Sequence, residues 1–485
     1  MKKGIRRLLV AMAVCAGVVG LAPPAVWGAG SGHPGTRKGL GLCRLRFGRS
    51  HLYRVAFHRL AVSGLIVMAD LGNGHEDIVE GNRFWDVITV FYGEGDGRIG
   101  RIQSFPLTKP LPAYDNGIRS LVVADLGNGH PDIVATSPNW IYVLYGTGGG
   151  RFGPVKSFPV RNAYSLVVAD LGNGHPDILT GVGGDEVAVL YGTGGGRFGP
   201  VKKFPVGHGV YSLVVADLGN GYPDILSAGG KRVTVLYGTG GGRIGRIVSF
   251  PITTNESQSN WFQFRVVDLG NGHPDIVVST EDTVTVLYGT GGGKFGLVKR
   301  FPVGKHVRVI SLLVTDLGNG HPDIVIGVAR KSAGARGHIE VRVLYGIGGG
   351  RFGSWKNYPV PVYASVYTSY LVTPLRVVRM RNGQRALVVA GPMGPFEKAN
   401  SVVKVLYEVG GGRLELSSRS YGVAKRETPL DLWVGYLRDG TPVLLMRLDR
   451  GYGEDFLSGR MAVLYGKGGG VCSSSRGFRK VGGGR

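Results

Sequence analysis

At 485 residues the chain exceeds what one ordinary hydrophobic core supports, so it is either several domains or an array of repeats, each packing only on its neighbours. Its 85 glycines follow no triplet period, which excludes a collagen-like fibre, and they cluster at recurrent turns instead. Lys plus Arg outnumber Asp plus Glu by 57 to 33; the net charge of +24 favours anionic partners, but no block of five or six consecutive basic residues marks a nucleic-acid arm, and no nucleic-acid partner is expected.

Lys2, Lys3, Arg6 and Arg7 precede an apolar run over 8–21, followed by small residues up to Gly28. This pattern predicts a secretory signal peptide over 1–28. The apolar run is short for a membrane span, and no later segment is apolar for long enough to cross one. The expected location is therefore secreted, periplasmic or cell-surface. Residues 29–43 read as a linker, 44–481 as the folded unit and 482–485 as a tail. Loss of the signal leaves two cysteines, Cys43 and Cys472, at opposite ends of the chain and in a compartment that permits disulfides.

The folded unit is repetitive. The stretch Asp125-Leu-Gly-Asn-Gly-His-Pro-Asp132 recurs almost letter for letter, with its first Asp at Asp70, Asp125, Asp170, Asp217, Asp268 and Asp316. Spacings of 45–55 residues mark a stacked or ring-like repeat fold. Within one unit, Ser120-Leu-Val-Val-Ala is a short strand and the Asp/Gly/Asn/Pro cluster after it a turn. Asp132-Ile-Val-Ala and Ile141-Tyr-Val-Leu-Tyr145 are further strands. Gly146-Thr-Gly-Gly-Gly150 is a second turn, and Val155-Lys-Ser-Phe-Pro-Val160 a fourth strand. Four short strands per unit with no helical period predict an all-β propeller of four-stranded blades.

The tyrosine ending the third strand occurs at Tyr92, Tyr145, Tyr191, Tyr237, Tyr288, Tyr345, Tyr407 and Tyr465. This count predicts eight blades, with seven as the alternative, because the last two units replace the Asp turn with Arg379-Met-Arg-Asn-Gly-Gln-Arg and Tyr436-Leu-Arg-Asp-Gly-Thr-Pro. At the other end, Arg46-Phe-Gly-Arg-Ser-His-Leu-Tyr-Arg-Val55 matches a fourth strand with no first three before it. That N-terminal strand is expected to complete the last blade, closing the ring and covering an open edge. Cys43 and Cys472 flank this closure, and a disulfide between them would lock it, contributing on the order of 4 kcal/mol in the chain-entropy account.

The Asp-…-Gly-…-Pro-Asp-Ile turn, the Val-Leu-Tyr-Gly third strand and the Arg-Phe-Gly-Pro step resemble FG-GAP or VCBS repeats, the blades of integrin-α-type propellers. The resemblance spans roughly 44–470. It implies Ca²⁺ at the turns, held by Asp70, Asn73 and Asp77; Asp125, Asn128 and Asp132; Asp170, Asn173 and Asp177; Asp217, Asn220 and Asp224; Asp268, Asn271 and Asp275; and Asp316, Asn319 and Asp323. Each turn is one residue shorter than the family's loop. It supplies two carboxylates and an amide where Ca²⁺ takes about six to eight oxygens. A weak Ca²⁺ site and a metal-free turn of Asx type are both open on these residues, and no other cofactor is indicated.

Other recurrent residues carry less chemistry. His75, His130, His175, His273 and His321 repeat at one turn position, where rotational symmetry keeps them apart from any common metal. The Gly-x-Gly-x-x-Gly spacing from Gly148 precedes a strand, not the helix a dinucleotide site requires. Arg98, Arg151, Arg197, Arg243, Lys294, Arg351 and Arg413 follow the glycine turns and would ring one face with cations.

Because strands alternate in direction, the short Asp and Gly turns share one face. The variable connections share the other, and ligand contacts are expected there. Aromatics on those connections are Phe84, Trp85, Tyr114, Trp140, Trp261, Tyr363, Tyr367 and Tyr452, suited to sugar stacking or to protein contacts. The expected function is binding or adhesion, as a monomer, to an extracellular glycan or surface protein, with an anionic partner favoured by charge. The alternatives are a polysaccharide-acting enzyme, drawing paired acids from Glu256, Glu281, Asp282, Glu397 and Asp455, and a structural surface module without a ligand.

Overall fold

The computed structural model describes residues 65–82, 86–95, 98–107, 117–252, 263–304, 306–330, 338–363, 375–379, 384–393, 400–425, 428–436, 441–449 and 460–466, with the short stretches 14–15, 43–44, 51–54 and 471–472. It is an all-β ring of eight four-stranded antiparallel blades, as the tyrosine count predicts. Each blade is a meander. Blade 2, for example, runs through Ser120–Ala124, Asp132–Thr136, Trp140–Gly148 and Arg151–Pro159 in spatial order. The third and fourth strands are longer than their sequence signals because both continue into the glycine turn through register shifts beside Gly146.

The period of two decides the packing. In blade 2, Leu121, Ile133, Tyr142 and Leu144 pack with Val79, Ile88 and Val90 of blade 1. Their neighbours in sequence, Val122, Val134, Ile141 and Val143, pack with Leu166, Val168 and Ile178 of blade 3. The second and third strands are therefore apolar on both faces, and Ile133–Ala135 are fully buried. Ile133 and Val134 each contribute roughly 1.5–3 kcal/mol of burial. Edge-to-face phenylalanine pairs join consecutive blades further out: Phe105 with Phe152 at 5.5 Å, Phe158 with Phe198 at 5.7 Å and Phe250 with Phe295 at 5.3 Å.

The ring closes as the N-terminal motif predicts. His51–Arg54 pairs antiparallel with Arg460–Tyr465 and supplies the outer strand of blade 8, after Thr428–Tyr436 and Pro442–Asp449. Ile66, Ile78 and Phe91 of blade 1 form one core with Val443, Leu445 and Val463 of blade 8. Cys43–Arg44 pairs with Val471–Cys472, with the two cysteines directly opposite. In blade 7 the outer edge is split: Leu414–Leu416 and Tyr421–Ala424 both pair with Asn400–Glu408. Of the segment read as a signal peptide, only Val14–Cys15 falls among the described residues. It pairs with Leu121 and Ser120 at the inner edge of blade 2.

Candidate functional site

Each first strand is the innermost of its blade and ends in the Asp turn, so the six Asp turns lie on the regular face together with the glycine turns. Their bonding is uniform. In blade 2, Asp125 Oδ1 accepts the N–H groups of Gly127 at 2.8 Å and Gly129 at 3.0 Å. Asn128 Oδ1 accepts from His130 N at 3.0 Å. Asp132 Oδ2 accepts from Leu126 N at 2.9 Å, while its Oδ1 takes Gly146 N and Asn128 Nδ2, both at 2.7 Å. Gly127 and Gly129 adopt φ of +94° and +86°, which only glycine does readily. The same pattern holds around Asp77, Asp177, Asp224, Asp275 and Asp323.

This donor set does not fit a calcium cage. Asp132 is fully buried, and both its oxygens already accept N–H donors. Asn128 turns its amide nitrogen, not its oxygen, towards that carboxylate. A cation needs lone pairs converging on a common space, whereas here positive hydrogens converge on the lone pairs. Burial raises the Asp132 carboxyl pKa; the three donors oppose this, and the charge of Asp125 adds to it. Among the described residues no three of His, Cys, Asp and Glu are grouped as metal ligands. His130 rests against Gly148, where an added Cβ would meet its ring at 3.3 Å. Arg98, Arg151, Arg197, Arg243, Lys294, Arg351 and Arg413 are all exposed, as a cationic ring beside these turns.

The first strands begin on the irregular face, at the mouth of the central channel. Six residues before the turn Asp stand Arg119 in blade 2, Tyr164 in blade 3 and Tyr211 in blade 4. The Arg119 guanidinium lies 4.6 Å from the Tyr164 ring centroid and donates to Ala163 O at 3.4 Å. Tyr164 stands 6.0 Å from Tyr211, tilted by 55°. Tyr164 is 36% exposed. Gly209 lets the Tyr211 ring fold back over the chain, since a Cβ there would meet that ring at 2.8 Å. The result is a cation–aromatic–aromatic ladder across three blades, exposed at Tyr164 and half-buried at Arg119 and Tyr211, a surface able to stack on flat apolar faces and to donate hydrogen bonds at its edges. Sequence reading missed it because each residue looks ordinary alone. The shared offset from the turn Asp is the signal that could have found it.

The aromatics expected from the sequence are less concentrated. Trp140 is 37% exposed at the start of its strand, opposite Pro159. Tyr363, in blade 6, stacks on His338 at 4.5 Å. Both lie on the irregular face, but blades 2 and 6 are on opposite sides of the ring, so the fold does not bring these two together. Phe84, Trp85, Tyr114, Trp261, Tyr367 and Tyr452 lie outside the described residues, as do Glu256, Glu397 and Asp455. Of the remaining acids, Glu281 pairs with Arg308 at 3.5 Å and Asp282 accepts from Thr283 Oγ1 at 3.1 Å.

No family model and no curated protein matches the chain. Solved structures do. The Dos1 propeller aligns over 87% of this chain and 95% of its own, at 11% identity and a TM-score of 0.52. A lectin of Agrocybe aegerita that recognises non-reducing terminal N-acetylglucosamine aligns over 61% and 80%, at 22% identity and a TM-score of 0.42. A fungal alcohol oxidase with copper aligns over 72% and 75%, at 11% identity and a TM-score of 0.42. At 11% identity the likeness to the Dos1 propeller shows the propeller fold alone, since one fold hosts many activities.

Proposed function

We propose that this chain is an exported propeller that binds an extracellular glycan at the channel mouth of its irregular face, with Arg119, Tyr164 and Tyr211 as the contact surface. The observation that carries this reading is the ladder itself, with Tyr164 exposed at its centre. Three blades place a stacking or cationic group at one register, where burial in the blade cores does not require it. Aromatic rings offer the flat apolar faces on which sugar rings rest, at little cost in side-chain entropy. The repeats are best understood as FG-GAP/VCBS-like blades whose shortened turns serve architecture, leaving recognition to the opposite face. No catalytic role is assigned.

A glycan array followed by titration of the retained sugar tests the proposal. Tyr164→Ala and Tyr211→Ala are each expected to weaken binding by about tenfold or more, as for central interface residues, with Tm unchanged. Retention of no glycan, or affinity in both variants undiminished from the parent's, overturns it.

A further inference from the structure

Cations gather in pairs where one blade meets the next. The outer strands of blades 1 to 5 are Ile99–Pro106, Arg151–Pro159, Arg197–Pro205, Ile244–Pro251 and Lys294–Pro302, and none of them contains Asp or Glu. Each is the open edge of its blade, and a charge there keeps strand edges from pairing with other chains. One charge anywhere along the strand meets that need. It does not explain why the cations fall in register with the tyrosine of the third strand.

At the joint of blades 2 and 3, Lys156 Nζ lies 5.2 Å from the centroid of the Tyr145 ring. The same tyrosine donates its hydroxyl to Gly196 O at 2.5 Å, and Arg197 is the next residue. One ring thus holds a cation of blade 2 beside a cation of blade 3. At the joint of blades 1 and 2, Arg101 lies 4.1 Å from the Tyr92 centroid, and that ring rests against Gly150, which precedes Arg151. Lys202 sits on Tyr191 at 5.2 Å, with Arg243 following the Gly242 that this ring touches. Arg246 sits on Tyr237 at 4.1 Å, and Tyr237 donates to Gly293 O, just before Lys294. All eight cations of these four joints are exposed. The outer strand of blade 3 makes one ion pair, Lys203 with Glu186 at 3.1 Å, but among the described residues none of the eight has a carboxylate partner.

The joints also line up. Phe158, near the end of the outer strand of blade 2, stands 5.7 Å from Phe198 at the start of that of blade 3. Phe105 with Phe152 and Phe250 with Phe295 repeat this end-to-start contact at 5.5 and 5.3 Å. The outer strands therefore follow one another round the rim, and the cation pairs recur along one belt.

We propose that this belt binds an acidic polysaccharide, a flexible chain whose carboxylates or sulfates recur along its length, laid round the rim of blades 1 to 5. Charge complementarity selects the partner, because exposed cations without carboxylates repeat with the blades and a polyanion gains by shedding its counterions onto them. Single-stranded nucleic acid needs free aromatic faces for its bases, whereas Lys156 and its equivalents already cover the tyrosine faces here. Duplex DNA, with a persistence length of about 50 nm, is too stiff to follow the rim of a single domain. A flat anionic membrane meets a face of the disc, not its edge. The belt shares no residue with the channel mouth and stands whether or not that site binds a sugar.

The test is calorimetric titration of the full chain, at low salt, with heparin and with polygalacturonate. Dextran serves as the neutral control and oligo(dT) as the nucleic acid. Saturable binding of at least one acidic polysaccharide is expected, weakening steeply as sodium chloride is added, with no binding of dextran. Lys156→Gln combined with Arg197→Gln should weaken it by about tenfold and flatten its salt dependence. Arg379→Gln combined with Arg419→Gln removes two exposed charges from blade 7 and should change it little. Tyr164→Ala should leave it unchanged, which separates the belt from the channel mouth. The substitutions are at exposed positions, so Tm is expected to stay at the parent's value. Binding of neither acidic polysaccharide, or equal losses in the belt and blade 7 variants, overturns the proposal; the latter would make the effect one of net charge. Tighter binding of oligo(dT) than of either polysaccharide also overturns it, in favour of a nucleic-acid surface. So does a lowered Tm in the belt variant with undiminished polymer binding, which would make the pairs braces of the blade joints.

Discussion

Tyr145 of blade 2 donates its hydroxyl to Gly196 O of blade 3 at 2.5 Å, and a Cβ on Gly196 would lie 2.8 Å from the Tyr145 ring. In blades 2, 4 and 5 the tyrosine that ends the third strand is thus an inter-blade clasp, and the third glycine of the next turn is the seat its ring requires. Tyr237 with Gly293 and Tyr288 with Gly350 repeat it at 2.6 and 2.7 Å. Gly196 N also donates to Leu126 O in the Asp turn of blade 2, so both turns share one contact. Burial and the nearby Asp132 charge push the Tyr145 pKa up to about 12, which keeps the hydroxyl a donor at neutral pH.

Gly196→Ala should therefore destabilise the protein more than Tyr145→Phe. The alanine must hold φ near +69°, costing about 1–2 kcal/mol, and displace the ring, costing about 1–3 kcal/mol more. The phenylalanine loses one hydrogen bond, about 1 kcal/mol. Denaturant unfolding of both variants checks the order, and equal effects would refute the clasp.

The saturated Asp turns predict indifference to calcium. Titration of Ca²⁺ into the chelated protein should give no saturable heat, and EDTA should leave Tm unchanged. Asp132→Ala, in contrast, strands the N–H groups of Leu126 and Gly146 and the Asn128 amide. Each stranded donor costs about 1–3 kcal/mol, enough to threaten folding. Saturable calcium binding would return the turns to the metal-site reading.

Asp86 is 2% exposed, accepts from Tyr142 Oη at 2.7 Å and leaves its other oxygen without a hydrogen bond among the described residues. Burial pushes its pKa up to about 6, with the Tyr142 and Ser137 hydroxyls opposing. A raised folded pKa means the folded state favours the protonated acid. The relief is complete below the unfolded value near 3.8 and is lost as pH rises through 6. Asp86→Asn should therefore gain on the parent at pH 8, by at most about 3 kcal/mol, and the gain should vanish near pH 4. Thermal melts at both pH values check it; a gain that does not depend on pH would contradict the assignment.

Cys43 and Cys472 are cross-strand partners at the ring closure. A peptide map under non-reducing conditions is expected to recover them linked, and reduction to lower Tm. Two free thiols would end the idea.

The amino-acid order by itself determined the architecture. Period-two strands, glycine turns and eight third-strand tyrosines specify the blades, because each blade repeats the same local chemistry against the same neighbour. The orphan motif from Arg46 foretold the closing strand for the same reason. What only the tertiary structure decided is where the repeat stops being uniform in space. Arg119, Tyr164 and Tyr211 lie 45 and 47 residues apart and become a surface only because a shared register and adjacent blades stack them at the channel mouth. The turn that looks most like a ligand site in the sequence is bonded internally, since backbone donors reach its carboxylates first.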